Sequence, residues 1–545
     1  MTINTRITAL AQSISKQPSP ACILIKTIDS RNGKSNVMLI PSTTIENRKE
    51  FKTILLENGH PISTVNVDLN EFYNSLETTF EHKIITTNIP GWVDNDYINN
   101  KGDVFTSKDI YKPRLHPNTK VAQFDQSKQG SLKEWQDNVS IFAIYSSRLM
   151  LGLCSALSGT IIKFTDVENG GFHIHGDSSM GKSSSIKFAA SIRCSKDGIC
   201  NWNITPAALE ETAMAHNDST LLLDELRLLD DNINNAAKKA SSYIYMITEG
   251  KGKSRSSYYQ QTELTWRLTF LSAGELSLSE HAYAGGTYRM NGECVRAIDI
   301  PADAGAGMGI YESLPEGINS ANELAKRITT NTSKYYGTAL PAFIEKLSKF
   351  IQKHGESRLR NKISNHIKYF ITKVKIDDNG QHFRIASKFA LLYAAGCLSV
   401  KSKIVPLTED NILDGILKCY HDAMSSIPTS TNQKLSNFKR SLRQEIVSSN
   451  VTNLMKSTMC ASDLNDLPIV IGIIGREKII GIQKQHFDSM FDSTNEIKRA
   501  LMILDNENLL FRDAQKNPTR QLTLKNKEHL KRRYCLKYNV FNDNY

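Results

Sequence analysis

The chain lacks any apolar run approaching the roughly 18 residues a membrane helix needs, and its first residues, MTINTRITALAQSISKQ, lack the apolar centre of a secretion signal. These absences lead to the expectation of a cytoplasmic protein with no membrane partner. Clustered cysteine is missing too: Cys22, Cys154, Cys194, Cys200, Cys294, Cys397, Cys419, Cys460 and Cys535 are scattered, and only Cys194 and Cys200 are near neighbours. That spacing excludes a dense disulfide framework and a zinc knuckle, so the thiols read as reduced and mostly buried. There is no acidic excess either. With 67 Lys+Arg against 56 Asp+Glu, the net charge of +11 points to a polyanionic partner wherever the cations are concentrated. The 545 residues, 40% hydrophobic and 23% charged, suit a folded chain with room for roughly three or four domains.

What is present is concentrated in Gly171 to Ser191, GFHIHGDSSMGKSSSIKFAAS. Gly176-Asp177-Ser178-Ser179-Met180-Gly181-Lys182-Ser183 satisfies G-x-x-x-x-G-K-[ST], preceded by an extended apolar run and followed by a helical one. The two glycines let the backbone curl, so that successive N–H groups and the helix N-terminus, including Ser184, point at a phosphate chain. Lys182 is expected to reach the β- and γ-phosphates of ATP, and Ser183 to ligate Mg²⁺. About forty residues on, Ser219 to Leu223 is an apolar strand ending in Asp224-Glu225, expected beside the phosphate-loop strand in a parallel sheet. Asp224 suits the second metal contact, and Glu225, aimed differently, suits polarising the attacking water.

The alternation of strand and helix from Asn169 to Ala302 predicts a three-layer α/β core. Strand Trp266 to Ser272 ends in a polar residue. In an additional-strand ATPase that residue senses the γ-phosphate, which makes Ser272 the candidate and Glu275 the reserve. Just ahead of the last core strand, Arg296 stands where an oligomeric ATPase places a finger into its neighbour's site, with Arg289 as the reserve. Between Glu249 and Tyr259, Lys251, Lys253 and Arg255 alternate beside glycines and precede two tyrosines, as a hairpin tip gripping a phosphodiester backbone would.

The flanks complete the expected layout. Residues 1–128 read as a β-rich N-terminal domain, with a hairpin signal at Asn32-Gly33 and Trp92 as a packing anchor. Residues 129–168 read as a helical linker opened by the capping-box pair Ser131 and Glu134, 169–305 as the ATPase core and 306–428 as a helical lid. Within the lid Arg384 is read as pairing locally, with a second γ-phosphate sensor as the alternative. Residues 429–545 read as a basic, winged-helix-like domain densest in charge at Lys531-Arg532-Arg533.

In this order the motifs resemble the domain-of-unknown-function family numbered 927, found in helicase and primase-helicase proteins of phages and mobile genetic elements. The resemblance runs from about Gly91 to Asp303. It is carried by Gly130-Ser131-Leu132-Lys133-Glu134-Trp135, the phosphate loop, Trp202 to Thr205, His216-Asn217-Asp218, Leu223-Asp224-Glu225, Gly250 to Arg255, Leu271 to Glu275 and Val295-Arg296. It implies an AAA+ core similar to the mini-chromosome maintenance helicases, in which a hairpin before the first sensor grips DNA inside a ring. Two features depart from the pattern: Ala273 stands where the family carries Thr, and residues 1–128 show no primase or metal-binding motif. The resulting expectation is an ATP-dependent DNA helicase, a homo-oligomer and possible hexamer, acting on single-stranded or forked DNA with replication proteins. An origin-binding initiator and a protein-remodelling or defence ATPase are the alternatives.

Overall fold

The structure is a computed structural model. It describes residues 7–538 apart from 17–18, 29–32, 60–68, 71, 77–79, 105, 108, 254–263, 288, 377–379, 427–428, 449–450, 492–493 and 525–527. The chain folds as two compact units, residues 1–426 and 427–545.

The first unit opens with β1 (Ile7–Ser15), β2 (Cys22–Ile28) and β3 (Ser35–Pro41). β2 and β3 pair antiparallel from Cys22↔Pro41 to Ile28↔Ser35, as the hairpin reading requires, although Asn32 lies outside the described residues. With β4 (His82–Thr87) they join a sheet containing a parallel β1·β4 pair. Two helices, Ser42–Glu46 and Arg48–Glu57, pack Ile45, Phe51 and Leu55 against it, so this region is mixed rather than β-rich throughout. Strands β5 (Gly91–Val93) and β6 (Asp96–Ile98) form a small ribbon, and β7 (Arg114–Leu115) pairs with β4. Trp92 is buried against Tyr97 and Phe164 and donates its indole N–H to the Thr160 carbonyl, 2.8 Å away. Beside it Asp218, buried and at φ +52, accepts from the Trp92 amide and from Arg267, tying this ribbon to the core.

The core is a five-stranded parallel sheet. Its strands are β8 (Gly170–His175), β9 (Cys200–Asn201), β10 (Ser219–Asp224), β11 (Leu268–Gly274) and β12 (Ala297–Pro301), in the order β12-β8-β11-β10-β9. The continuous apolar run of β10 reflects burial on both faces. One face packs Leu221, Leu223 and Phe270 against helices Pro206–Ala215 and Ile233–Glu249. On the other, helix Ser147–Ser158 is buried along its whole length, and Thr220 Oγ1 donates to the Ser155 carbonyl at 2.6 Å. The helix read from the sequence as part of a linker is thus a layer of the core. Strand β11 separates β10 from β8, which corrects the expectation that the Asp224 strand lies beside the phosphate-loop strand.

Five helices follow: Ala321–Thr332, Ala339–His354, Glu356–Val374, Gly380–Lys401 and Glu409–Ser426. Among the described helices only Gly380–Lys401 has the length and apolarity of a membrane span, and 78% of that window is buried inside the fold. It packs on the Ser147–Ser158 helix, for example through Gly396 against Cys154. All nine cysteines are free.

The second unit contains helices Thr429–Val447 and Thr494–Asn506, packed through Phe438 and Leu504 on a sheet. Its strands are β13 (Thr452–Asn453), β14 (Ile469–Ile474), β15 (Glu477–Gln483), β16 (Leu510–Phe511), β17 (Thr519–Arg520) and β18 (Arg533–Lys537). The two strands expected around Lys516-Asn517-Pro518 are β16 and β17; each pairs with β18.

Candidate active site

The phosphate loop follows the C-terminal end of β8. Gly176 (φ +154) and Gly181 (φ +94) hold its curl. A Cβ at Gly181 would stand 2.9 Å from Ile310 Cγ1, and one at Gly176 the same distance from Met180 Sδ, so both positions exclude larger residues. Asp177, Ser178 and Ser179 are exposed between them, and Ser179 also adopts a positive φ, +69. Lys182 opens helix Lys182–Ser191, with Ser183 exposed and Ser184 half-buried in the first turn. Its ammonium donates to the carbonyls of Gly176 (2.7 Å) and Asp177 (2.6 Å), folding back into its own loop. Partial burial lowers the Lys182 pKa, opposed by the nearby charges of Glu275, Asp177 and Asp224.

Asp224 ends β10 half-buried, and burial raises its pKa above the usual aspartate value, helped by the neighbouring Glu225 charge. The Glu225 amide donates to Asp224 Oδ1 at 2.9 Å, while Glu225 itself is exposed in a left-handed conformation, φ +59. A non-glycine residue held there carries on the order of 1–2 kcal/mol of strain.

Ser272 is not brought to this mouth. The register Leu223↔Ser272↔His173 puts it on the sheet face opposite Asp224. There it is fully buried, with its hydroxyl 2.7 Å from His173 Nδ1. The other ring nitrogen, Nε2, lies 3.0 Å from the Leu276 carbonyl, and burial pushes the His173 pKa down to about 4. The residue that does reach the loop is Glu275, the reserve. Its Oε1 accepts from Ser178 Oγ at 2.8 Å, and its carbonyl accepts from the Gly176 amide at 3.1 Å. Ala273, at the register of Asp224, offers no polar atom from its side chain.

Arg296 stands at the start of β12, at the sheet end opposite the phosphate loop. Register Ala297↔Gly171 and Pro301↔His175 separates it from its own loop by about 13 Å of strand. It is half-buried, donates to the Gly292 carbonyl at 2.8 Å and lies over the Tyr245 ring. Arg289 is a structural residue. Fully buried, it donates to Asp299 Oδ2 (2.9 Å), Glu293 Oε1 (3.3 Å) and the Ala297 carbonyl (2.6 Å). Arg384 pairs with Glu168.

The base of the basic hairpin is present at the same end of the sheet. Lys251 bridges Thr265 antiparallel, Gly252 N donates to the Leu264 carbonyl (2.8 Å), and Trp266 N donates to the Gly250 carbonyl (2.9 Å). Lys251 and Lys253 are exposed; Arg255, Tyr258 and Tyr259 lie outside the described residues. In the second unit the expected basic cluster is partly engaged within its own fold. Arg532 pairs with Asp513, Arg512 pairs with Asp505, and Arg533 is buried on the carbonyls of Leu464 and Leu467.

Sequence reasoning assigned no role to the segment covering the loop. Gly309 (φ +61) packs on the Met180 backbone, and Ile310 N donates to the Met180 carbonyl at 3.0 Å. Its visible signal was glycine at alternate positions, 305, 307 and 309. Buried Arg148 holds this segment by donating to the carbonyls of Pro301 (2.9 Å) and Asp303 (2.7 Å), and it pairs with Asp422 at 2.8 Å. Elsewhere His366, Cys397 and Glu409 converge with metal-ligand chemistry, but the Lys401 ammonium already contacts His366 and Glu409.

Residues 1–262 match the family model described as Domain of unknown function (DUF927), in agreement with the resemblance read from the motifs. The match includes Lys182 and Asp224-Glu225, begins well before Gly91, and stops short of β11 and Arg296. No curated protein matches the sequence. A solved structure described as SCCmec type IV Cch, active helicase, is 15% identical, covers 98% of this chain and 93% of its own, and superposes with a TM-score of 0.56, which shows a shared mixed α/β fold. The apo C-terminal region of NrS-1 is 11% identical over 73% of this chain and 89% of its own; its TM-score of 0.23 is too low to indicate a common fold.

Proposed function

We propose that the chain is an ATP-dependent DNA helicase, an AAA+ motor that works as a homo-oligomeric ring in replication of a phage or mobile genetic element. One observation carries this reading. Lys182, Asp224 and Glu275 gather at one end of a parallel sheet, and the base of a basic hairpin and Arg296 gather at the other. What supports a triphosphate here is the loop's curl, held by two glycines at positive φ, and a Lys182 ammonium that rests on carbonyl oxygens of its own loop. Lys182 would neutralise charge developing on the γ-phosphate of ATP. Ser183 and Asp224 would hold Mg²⁺, which when bound supplies Lewis acidity. Glu225 would orient and polarise the attacking water, with Glu275 and Ser178 reporting its surroundings. Arg296 would serve the neighbouring subunit, since its own loop is a strand length away.

The test is ATP turnover with and without single-stranded DNA, run beside strand displacement on a forked duplex. Stimulated turnover with ATP-dependent displacement is the expected result, and Lys182→Ala should lower turnover by on the order of a hundredfold or more. DNA binding with slow hydrolysis and no unwinding would favour an initiator. Turnover indifferent to DNA, with alanine at Lys251, Lys253 and Arg255 harmless, would favour a remodelling ATPase.

A further inference from the structure

A groove of about 930 Å³ lies at the sheet end away from the phosphate loop, between the Phe164–Glu168 segment and one face each of helices Glu356–Val374 and Gly380–Lys401. Its size falls in the range of small-ligand sites. Four cations line it, Arg360, Lys368, Arg384 and Lys388, against the carboxylates of Asp166 and Glu168. Helical spacing puts Arg360 with Lys368, and Arg384 with Lys388, on the two facing walls. The rest of the lining divides evenly between polar and apolar residues and includes Phe164 and Phe383, the latter 54% exposed.

Lys388 is the informative residue. Its side chain is 5% exposed, and its ammonium has a backbone carbonyl, that of Glu168 at 3.2 Å, as its hydrogen-bond acceptor. Burial depresses its pKa to about 8, opposed by the Glu168 charge and helped by Arg384 and Arg296. A buried lysine normally has a carboxylate salt-bridged to it. Here Glu168 gives its carboxylate to Arg384 and only its carbonyl to Lys388. The stem of Lys388 crosses Gly170, where a Cβ would stand 2.3 Å from Lys388 Cε and 2.8 Å from the Arg296 carbonyl oxygen. A buried cation that shares its nearest carboxylate with Arg384, in an open groove with Lys368 and an exposed aromatic ring, has the chemistry of a phosphate subsite beside a base platform.

We propose that this groove is a second nucleotide-class site, taking a phosphorylated ligand with a flat ring, its phosphates toward Lys388, Arg384 and Lys368 and its ring against Phe383. The groove is separate from the phosphate loop of its own chain. The ligand has two sources: free mononucleotide, or nucleotide presented by a second copy of the chain.

The test uses the full-length chain carrying Lys182→Ala, titrated with ribose-labelled fluorescent ADP. Saturable binding is expected, weakened at least tenfold by Lys388→Met, which keeps the buried stem, and severalfold by Lys368→Ala or Phe383→Ala, which act on the groove walls. Pyrophosphate should compete. Binding by the Lys182→Ala chain alone identifies free nucleotide. Added Lys388→Met chain with intact Lys182 binds nucleotide at its own phosphate loop, so tighter binding in the mixture than by that chain alone identifies nucleotide presented by a second copy. The proposal is overturned by no binding to the Lys182→Ala chain together with no gain in affinity in the mixture, by binding unchanged by all three groove substitutions, or by competition from an oligonucleotide but not from pyrophosphate.

Discussion

At Ser272 and Glu275, three residues apart, pattern and geometry part. A polar residue ending β11 was legible in the sequence; which sheet face it occupies was not, because β-strand side chains alternate and the register across β8, β11 and β10 is set by tertiary pairing. Ser272→Ala should therefore act on stability, costing about 1–2 kcal/mol through the loss of a partner for buried His173, with turnover changed little. Glu275→Gln should lower turnover at unchanged melting temperature. Paired calorimetry and ATPase assays distinguish the two, and the reverse pattern would restore Ser272 as sensor. His173 carries a second expectation. Its folded pKa of about 4 lies below the usual 6.5, so the unfolded chain takes up its proton first as pH falls. The stability it contributes is full above pH 6.5 and lost progressively toward pH 4, with an upper bound of about 3 kcal/mol. Burial depresses His216 in the same direction. Urea unfolding between pH 7 and 4 should show this slope, and His173→Gln should flatten it.

At the scale of the element, the hairpin before β11 shows how much a short motif can specify. Alternating glycine and lysine gave its position, and the bridge between Lys251 and Thr265 is its base. Gly250 is the point of control. At φ +77, with a Cβ that would stand 2.8 Å from the Trp266 carbonyl, it closes the helix Ile233–Glu249 and launches the hairpin. Gly250→Ala should cost about 1 kcal/mol or more locally and abolish DNA stimulation of turnover while sparing the basal rate. Lys251→Ala with Lys253→Ala should reduce stimulation and flatten its salt dependence without that distortion. If both variants keep full stimulation, the hairpin does not contact DNA. The basic C-terminal cluster was less legible: a count of cations cannot show that Arg532 and Arg533 already have partners within their own fold.

At the scale of the whole molecule, order along the chain made the central parallel sheet readable. What it could not show was that helix Ser147–Ser158, 30 residues upstream of Asp177 by its first residue, forms one layer of that sheet's packing. Each unit has its own apolar core, in 427–545 around Phe438, Phe487 and Leu504. Calorimetry should resolve two transitions, and a single cooperative one would count against independent folding. Arg296→Ala should abolish hydrolysis and be rescued in mixed assemblies by subunits with Lys182→Ala and intact Arg296; absence of rescue would leave the trans role unsupported.

Arg148 joins these scales. One guanidinium, sealed from water, grips the stretch that rests on Met180 and also the carboxylate of Asp422 in helix Glu409–Ser426. The segment covering the Gly176–Ser183 loop and the last helix of the first unit are therefore fastened to a common rivet. Arg148→Met, which removes the rivet and keeps the stem, should therefore loosen both at once, read as faster amide exchange in residues 301–310 and in helix Glu409–Ser426.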